Sequence, residues 1–260
     1  MTTVLAMDLR GAGVLVTGAA GGIGTALCRA FAAAGADVTS VDLDGTGVDH
    51  GLDVADSAAV ADLVLGLDRL DVVVANAGVG VGGLVEDIDR ARWDTTIDVN
   101  IRGVINTVLP AYARLRDQRS GAIVLMASLS GLLGTPLLTP YAMSKHAIVG
   151  LGASLRPEAA RHGVTVTTVC PGPVETPLLD EPSATRGLAV RRYLTAAAGA
   201  PITPAVLADR VVDAVGKDRA LVVPGRAGVL WRLARFAPRL TAAQLAKGMH
   251  AELRAGGVEA

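Results

Sequence analysis

The residues best suited to chemistry lie between positions 122 and 145, in the segment AIVLMASLSGLLGTPLLTPYAMSK. An apolar run at residues 122–127 predicts a strand, and Ser128 follows directly at its end. Tyr141 and Lys145 come next, at a predicted helix start, and because they are four residues apart they share one helical face. A hydroxyl, a phenol and an ammonium within reach of one another could together transfer a proton.

The composition suits a domain of short strands and helices rich in alanine and leucine. The chain has 260 residues, of which 51% are hydrophobic and 3% aromatic, and its net charge is −1. This length allows one large α/β domain or two small ones, with a sizeable buried core. The near-zero charge gives no reason to expect nucleic acid or a membrane as a partner.

The cysteines, the histidines and the N-terminal residues predict a cytoplasmic protein without a metal site. Cys28 and Cys170 each fall on a predicted apolar element, where we expect buried free thiols. The four histidines are scattered, without metal-ligand spacing. We find neither a signal-peptide pattern nor an apolar run of transmembrane length.

A glycine-rich turn near the N-terminus predicts a dinucleotide site. Residues 14–17 read as a strand, the turn TGAAGGIG follows at residues 17–24, and apolar residues then recur at helical spacing. Glycines allow the backbone to approach a pyrophosphate, which the helix N-terminus then binds electrostatically. We assign the following residues to cofactor binding: Thr17, Gly18, Gly22, Ile23 and Gly24.

A second predicted strand, at residues 37–41, ends in Asp42, eighteen residues after Gly24. A carboxylate there would accept hydrogen bonds from the ribose hydroxyls of NAD and would repel the 2′-phosphate of NADP. No Lys or Arg lies between Ser40 and Val48, so that phosphate would find no local counter-charge. The sequence therefore predicts NAD as the cofactor.

Strands and helices alternate along the rest of the chain. Strands are predicted at residues 48–52, 71–75, 122–127, 164–170 and 220–223, with helical segments at 56–67, 88–116, 140–161 and 203–215, and residues 178–201 read as irregular. This alternation predicts a doubly wound parallel sheet, a Rossmann-type α/β fold with helices on both faces. Ligands of such sheets bind at the carboxyl ends of the strands, where the motifs lie.

These motifs together resemble the short-chain dehydrogenase/reductase family in its compact single-domain form, over residues 11–223. In family order and spacing they are the glycine turn, Asp53, Asn76-Ala77-Gly78, Asn100, Ser128, Tyr141-Ala-Met-Ser-Lys145 and Pro171-Gly172-Pro173-Val174-Glu175-Thr176. The resemblance implies a catalytic tetrad of Asn100, Ser128, Tyr141 and Lys145. It also implies dinucleotide contacts from Asp53, Val54, Asn76, Gly78, Tyr141, Lys145, Pro171, Gly172, Val174 and Thr176.

The resemblance also implies a role for each member of the tetrad. Tyr141 would be the acid/base, and Lys145 with the positively charged oxidised nicotinamide would lower its pKa from the ordinary value of about 10. Ser128 would orient the substrate oxygen, and Asn100 would take part in a proton relay. Ser130 competes for the serine role, but the thirteen-residue gap to Tyr141 favours Ser128.

The expected function is NAD(H)-dependent hydride transfer between nicotinamide and a secondary alcohol or ketone. The almost wholly apolar segments 79–84 and 132–138 favour a hydrophobic substrate. Arg186, Arg191 and Arg192, in a predicted lid at residues 178–201, could instead meet an anionic group, although we expect at least two of them to face solvent. The alternatives are an NADPH-dependent ketoreductase of a biosynthetic pathway and a non-catalytic dinucleotide-binding protein.

The C-terminal segment is predicted to be a helical extension at residues 226–260, after a catalytic domain at residues 1–225. Val229, Leu230, Leu233 and Phe236 share one helical stripe, and residues 186–239 contain ten basic against three acidic residues. We expect the stripe to pack on the protein itself or on a sister subunit, in preference to a membrane surface. The resemblance implies a homodimer or homotetramer.

Overall fold

Seven parallel strands form one sheet at the centre of the molecule. The computed structural model describes residues 7–258, so the parts of the predicted units on residues 1–6 and 259–260 lie outside the described residues. The strands are β1 (Gly13–Thr17), β2 (Asp37–Asp42), β3 (His50–Gly51), β4 (Val72–Ala75), β5 (Gly121–Met126), β6 (Val164–Val169) and β7 (Leu221–Val222). Their order is β3-β2-β1-β4-β5-β6-β7, with parallel pairing throughout. The predicted doubly wound fold is confirmed.

Nine α-helices among the described residues connect and flank the strands. They are α1 (Gly22–Ala33), α2 (Ser57–Gly66), α3 (Arg90–Ile97), α4 (Gly103–Gln118), α5 (Thr139–Ala160), α6 (Val190–Ala198), α7 (Pro204–Gly216), α8 (Arg226–Phe236) and α9 (Pro238–Ala255). Asp56 and Thr203 cap the starts of α2 and α7 by accepting backbone N–H hydrogen bonds. None of the helices in the described range is long and apolar enough to cross a membrane.

Helices cover both faces of the sheet. Successive side chains of a strand point to opposite faces, so each face presents apolar side chains that helices bury. Val14 and Val16 of β1 pack with Phe31 of α1 and Val211 of α7 on one face. Leu15 lies in the other core, against residues of α2, α4 and α5. Burial of one such large apolar side chain contributes about 2 kcal/mol, so the two cores hold the strand ends in place.

Two predicted segments differ in the structure. The weak third strand shrinks to two residues, His50–Gly51. The segment 178–201, predicted as irregular, contains α6 and a 3₁₀ turn, Pro177–Asp180. The flanking glycines and proline obscured this nine-residue helix, whose Tyr193 is 2% exposed and packs against Leu137, Leu188 and Leu253.

Helix α5, which carries Tyr141 and Lys145, lies very close to β6 at one glycine. A Cβ at Gly152 would collide with Thr168 Oγ1 and would lie 3.1 Å from Leu125 Cδ1. Gly150, two residues earlier on the same helix, has no atom within 4 Å of a Cβ position. The contact at Gly152 therefore sets the distance between the helix and the sheet.

We predict opposite effects of Gly152→Ala and Gly150→Ala on stability. Gly152→Ala forces α5 away from the sheet and lowers the free energy of unfolding by ~1–3 kcal/mol. Gly150→Ala meets no obstacle and raises it by ~0.5–1 kcal/mol through helix propensity. Urea unfolding of both variants measures the effects, and a stabilised Gly152→Ala protein would contradict the packing described here.

Candidate active site

A cavity of about 640 Å³ opens at the carboxyl edge of the sheet. The loops after β1, β2, β4, β5 and β6 all contribute to its wall, as the strand-end rule for such sheets predicts. The predicted site residues that line it are Gly18, Gly22, Ile23, Gly24, Asp42, Asp53, Val54, Asn76, Gly78, Ser128, Tyr141, Lys145, Pro171, Gly172, Val174 and Thr176. Thr17 and Asn100 are the two predicted residues that are not part of this lining.

Thr17 joins the loop after β1 to the loop after β4. Its hydroxyl oxygen accepts hydrogen bonds from the backbone N–H groups of Asn76 at 3.1 Å and Ala77 at 3.2 Å. The Asn76 amide donates in return to the carbonyls of Thr17 and Gly18, at 2.9 and 3.1 Å. Thr17 thus positions the two loops from beneath the cavity floor.

The glycine turn leaves its backbone open toward the cavity. Gly18 adopts φ of +66°, a conformation that glycine tolerates best, and a Cβ at Gly24 would collide with the Gly18 carbonyl. Helix α1 starts after Gly21 without a side-chain cap, so its first N–H groups are available to an anion. The turn therefore fits a pyrophosphate.

Asp42 lies beside this turn, at the end of β2. Its carboxylate accepts hydrogen bonds from the N–H groups of Ala20 at 2.9 Å and Leu43 at 2.8 Å. Among the residues that the structure describes, Lys145 is the only cation lining the cavity, and it belongs to the Ser128–Tyr141 end. The Asp42 end thus carries negative charge without a counter-charge.

Asn106 of α4 is a supporting residue that the sequence did not reveal. Its amide donates to the carbonyls of Val54 at 2.9 Å and Ala55 at 3.2 Å, and so holds the loop that contains Asp53. A single asparagine on an otherwise ordinary helix gives no sequence signal for such a role.

Asn100 lies in a π-helical turn, Asp98–Arg102, between α3 and α4, and is fully buried. Its Oδ1 accepts from the Val79 N–H at 2.8 Å, and its Nδ2 donates to the Val79 carbonyl at 2.9 Å and to Ser144 Oγ at 3.0 Å. Ser144 Oγ donates to the Tyr141 carbonyl at 2.8 Å. Asn100 therefore ties the loop after β4 to the helix that carries Tyr141.

Lys145 and Tyr141 are adjacent on α5, as their spacing predicts. The Lys145 ammonium donates to the Met126 carbonyl at 3.0 Å and lies 5.6 Å from the centroid of the Tyr141 ring. Burial lowers the pKa of Lys145 from 10.5 to about 8. Burial also raises the pKa of Tyr141, while interaction with the Ser128 hydroxyl lowers it. In the free protein desolvation is the largest influence on the pKa of Tyr141.

Ser128 and Ser130 both line the cavity, in different hydrogen-bonding states. Ser128 Oγ accepts from the Ser130 N–H at 3.2 Å, and this bond does not use the Ser128 proton. Ser130 Oγ accepts from Thr135 Oγ1 at 3.0 Å. Nearby, burial raises the pKa of Cys170 to about 12, so this free cysteine stays a neutral thiol.

The end of the cavity beyond Ser128 has apolar walls. Segments 79–84, 132–138 and 178–201 contribute to it as predicted, through Val81, Leu133, Leu138, Leu178, Leu179, Val190 and Leu194. Leu230 of α8 and Leu245 of α9 also line it, although no pocket residue was predicted after residue 201. Their only sequence signal was the apolar stripe that contains Leu230, which does not say where the stripe packs.

Ion pairs hold α6 over the cavity. Arg191 donates to Glu175 and Asp180, at 2.6–2.8 Å. Arg192 donates to Glu252 of α9 at 2.6 Å, and this carboxylate, 4% exposed, also accepts from the backbone N–H before α6. The side chains of Arg191 and Arg192 thus pair within the protein. The expectation that at least two of the three lid arginines face solvent is confirmed, because Arg186 is exposed and the Arg192 side chain is 52% exposed despite its ion pair.

A parallel sheet with a glycine turn at β1–α1 and an acidic residue after β2 defines a Rossmann-type dinucleotide-binding protein. The chain belongs to the short-chain dehydrogenase family, whose model matches residues 45–187. Members of this family are oxidoreductases that bind a nicotinamide dinucleotide and act on small molecules.

Three known proteins illustrate the relationship. The 3-oxoacyl-(acyl-carrier-protein) reductase of Thermotoga maritima is 32% identical over 215 residues, or 75% of this chain and 87% of that protein. The D-beta-hydroxybutyrate dehydrogenase of Rhizobium meliloti is 33% identical over 188 residues, 64% of this chain and 73% of that protein. The structure of a short-chain dehydrogenase from Streptomyces avermitilis shares the fold, with a TM-score of 0.75 at 23% identity, over 92% of this chain and 98% of that one.

We predict that Lys145→Met changes how stability depends on pH. Between pH 8 and 10.5 the unfolded chain binds more protons at Lys145 than the folded protein does, so the wild type gains stability as pH rises. Methionine cannot titrate, and the variant lacks this gain, which is ~2 kcal/mol between pH 7 and pH 10. Urea unfolding at both pH values measures the difference.

The control is Lys247→Met on α9, where the lysine is exposed. This variant should keep the pH dependence of the wild type. If Lys145→Met also kept it, the low pKa of Lys145 would be contradicted.

Proposed function

We propose that this protein is an NAD(H)-dependent oxidoreductase that interconverts a secondary alcohol and a ketone with an apolar substituent. The observation that carries the proposal is that Ser128, Tyr141 and Lys145 line the same cavity as the glycine turn. When bound, the oxidised nicotinamide accepts the hydride and adds a positive charge at the Tyr141 end of the cavity.

Tyr141 is the proposed acid/base. During oxidation its phenolate oxygen takes the hydroxyl proton while the carbon–hydrogen bond yields its electron pair as hydride, and reduction reverses both transfers. Since burial raises the pKa of Tyr141 in the free protein, the phenolate needs positive charge nearby. Lys145, one helical turn away, supplies part of that charge whenever it is protonated.

Ser128 and Asn100 are the proposed supporting residues. With substrate bound, Ser128 would donate its proton to the substrate oxygen, where negative charge develops. Asn100 holds Val79 and Ser144 and so positions the helix of Tyr141. A Cβ at Gly78 would lie 3.2 Å from Asn100 Oδ1 and 3.3 Å from Lys145 Nζ, so both groups reach the same small space. This closeness supports a proton relay from Lys145 past Asn100.

The charge at the Asp42 end of the cavity supports NAD over NADP. The Asp42 carboxylate can accept hydrogen bonds from the ribose hydroxyls of NAD, and it would repel the 2′-phosphate of NADP. Dinucleotide contacts from Asp53, Val54, Asn76, Gly78, Pro171, Gly172, Val174 and Thr176 are proposed on the same basis, since all of them line the cavity. The similarity to a 3-oxoacyl reductase keeps an NADPH-dependent ketoreductase as the second candidate.

The apolar walls support a substrate with a hydrocarbon group. Two relatives carry names that refer to 3-hydroxy or 3-oxo compounds, a hydroxybutyrate dehydrogenase and a 3-oxoacyl reductase. We therefore propose 3-hydroxy and 3-oxo acyl compounds as the first substrates to assay with NAD(H). Residues 178–201 act as the lid, and the extension after residue 225 completes the wall of the catalytic domain.

A homodimer or homotetramer in the cytoplasm is also part of the proposal. Ile105 and Leu109 of α4 and Met143 of α5 are 39%, 62% and 41% exposed, which suits helices that pair with a second subunit. Two free cysteines are compatible with a reducing compartment.

We predict that Tyr141→Phe lowers kcat by at least about 100-fold, because the variant keeps the ring but loses the transferable proton. Spectrophotometric assays of nicotinamide turnover on the best substrate measure the change. Tyr112→Phe on α4 removes a phenol away from the cavity and should retain wild-type turnover. Unchanged kcat in Tyr141→Phe would rule out the proposed mechanism.

We predict that Asp42→Ala reduces the preference for NAD. The ribose loses an acceptor and the 2′-phosphate loses a repulsive charge, so the ratio of kcat/KM for NAD to that for NADP falls by about 10-fold or more. Asp44→Ala, which removes an exposed carboxylate two residues away, should leave the ratio unchanged. A wild-type enzyme that prefers NADP would refute the role given to Asp42.

A further inference from the structure

Four large apolar side chains project outward at the corner between α8 and α9. Val229, Leu233, Phe236 and Leu240 are 55%, 57%, 85% and 71% exposed, and we call them the corner patch. The spacing of four and three residues places Val229, Leu233 and Phe236 on one face of α8. Leu240 lies in the first turn of α9, after the break in the helix at Ala237. The stripe at Val229, Leu230, Leu233 and Phe236 was expected to pack on the protein itself or on a sister subunit. In the structure Leu230 packs on the protein, whereas the other three side chains are exposed.

The inner side of the same helices explains why the corner patch is free. Leu230, Trp231 and Ala234 pack toward Leu129 and Leu133, beside the cavity. Those contacts hold α8 on the protein. The corner patch is therefore additional apolar surface on the outer side of a helix that is already anchored.

The chain segment that carries the corner patch is basic. No Asp or Glu occurs from residue 226 to residue 251, and this stretch contains Arg226, Arg232, Arg235, Arg239 and Lys247. Within the described residues, none of these five cations forms an ion pair. The lid arginines Arg191 and Arg192, by contrast, are paired with carboxylates. Among the described residues, the positive charge of this segment is therefore not neutralised by carboxylates.

A second copy of the chain is a poor match for this face. A two-fold interface on the corner patch would bring the same cations of both copies together with no carboxylate from this stretch between them. Like charges placed face to face in an interface are costly. An anionic bilayer offers both apolar contact for the exposed side chains and negative charge for the arginines.

We propose that the corner patch docks on the surface of an anionic lipid bilayer, with Phe236 and Leu240 in the headgroup region and the neighbouring arginines on lipid phosphates. The protein lies on the bilayer and does not span it. Only helix α8 lies between the corner patch and the apolar wall of the cavity. Docking of the patch would therefore bring that wall close to the lipid. Binding of the corner patch to a bilayer does not depend on the proposed redox reaction.

The experiment is flotation of the full chain with vesicles. One set contains phosphatidylcholine alone, and the other contains phosphatidylcholine with phosphatidylglycerol. We expect binding to the anionic set only, weakened by added salt. Leu240→Ser should weaken binding by about 10-fold, and Arg235→Ala and Arg239→Ala by about fivefold each.

The matched control is Leu65→Ser on α2, because Leu65 is 69% exposed and Leu240 is 71% exposed. Thermal unfolding checks that each variant is folded, and light scattering gives its mass in solution. Retained binding by Leu65→Ser with lost binding by Leu240→Ser supports the proposal. Absence of wild-type binding, equal binding to both vesicle sets, or an equal loss in Leu65→Ser overturns it. If the wild type does not bind vesicles and the Leu240→Ser variant has a lower mass in solution than the wild type, the corner patch is instead assigned to a second subunit.

Discussion

The parallel register of β4, β5 and β6 is the constraint on which the site depends. Ala75, Leu125 and Thr168 lie side by side across these three strands, so their carboxyl ends reach the same edge of the sheet. The loops that follow then bring together Asn76 and Ser128, which are far apart in the chain. Apolar burial on both faces keeps this edge in place, because a shift in register would move every strand side chain to the wrong face.

Burial acts on the two ionisable residues of the site in opposite directions. It raises the pKa of Tyr141 and lowers that of Lys145, so in both cases burial stabilises the neutral form relative to the charged form. The lysine is kept at the site by its hydrogen bond to the Met126 carbonyl, not by contact with the phenol oxygen. At neutral pH Tyr141 is therefore a neutral phenol, whereas Lys145, whose pKa is about 8, still carries most of its positive charge.

The C-terminal extension has two different faces. Its inner face closes the apolar part of the cavity through Leu230 and Leu245, and Glu252 fixes the start of the lid helix through Arg192. Its outer face carries exposed apolar residues, and its arginines form no ion pair with any residue that the structure describes. One pair of helices therefore shapes the cavity on one side and carries the proposed docking surface on the other.

The sequence by itself determined the parallel fold, the family and most of the residues that line the dinucleotide end of the cavity, because alternating strands and helices place the strand-end motifs at one edge. Only the tertiary structure decided the helix within residues 178–201, the partners of Arg191 and Arg192 and the direction of the Tyr141 pKa. Each of these depends on contacts between residues distant in the chain, such as Tyr193 with Leu253, and on how much water those contacts exclude. Local patterns do not contain that information.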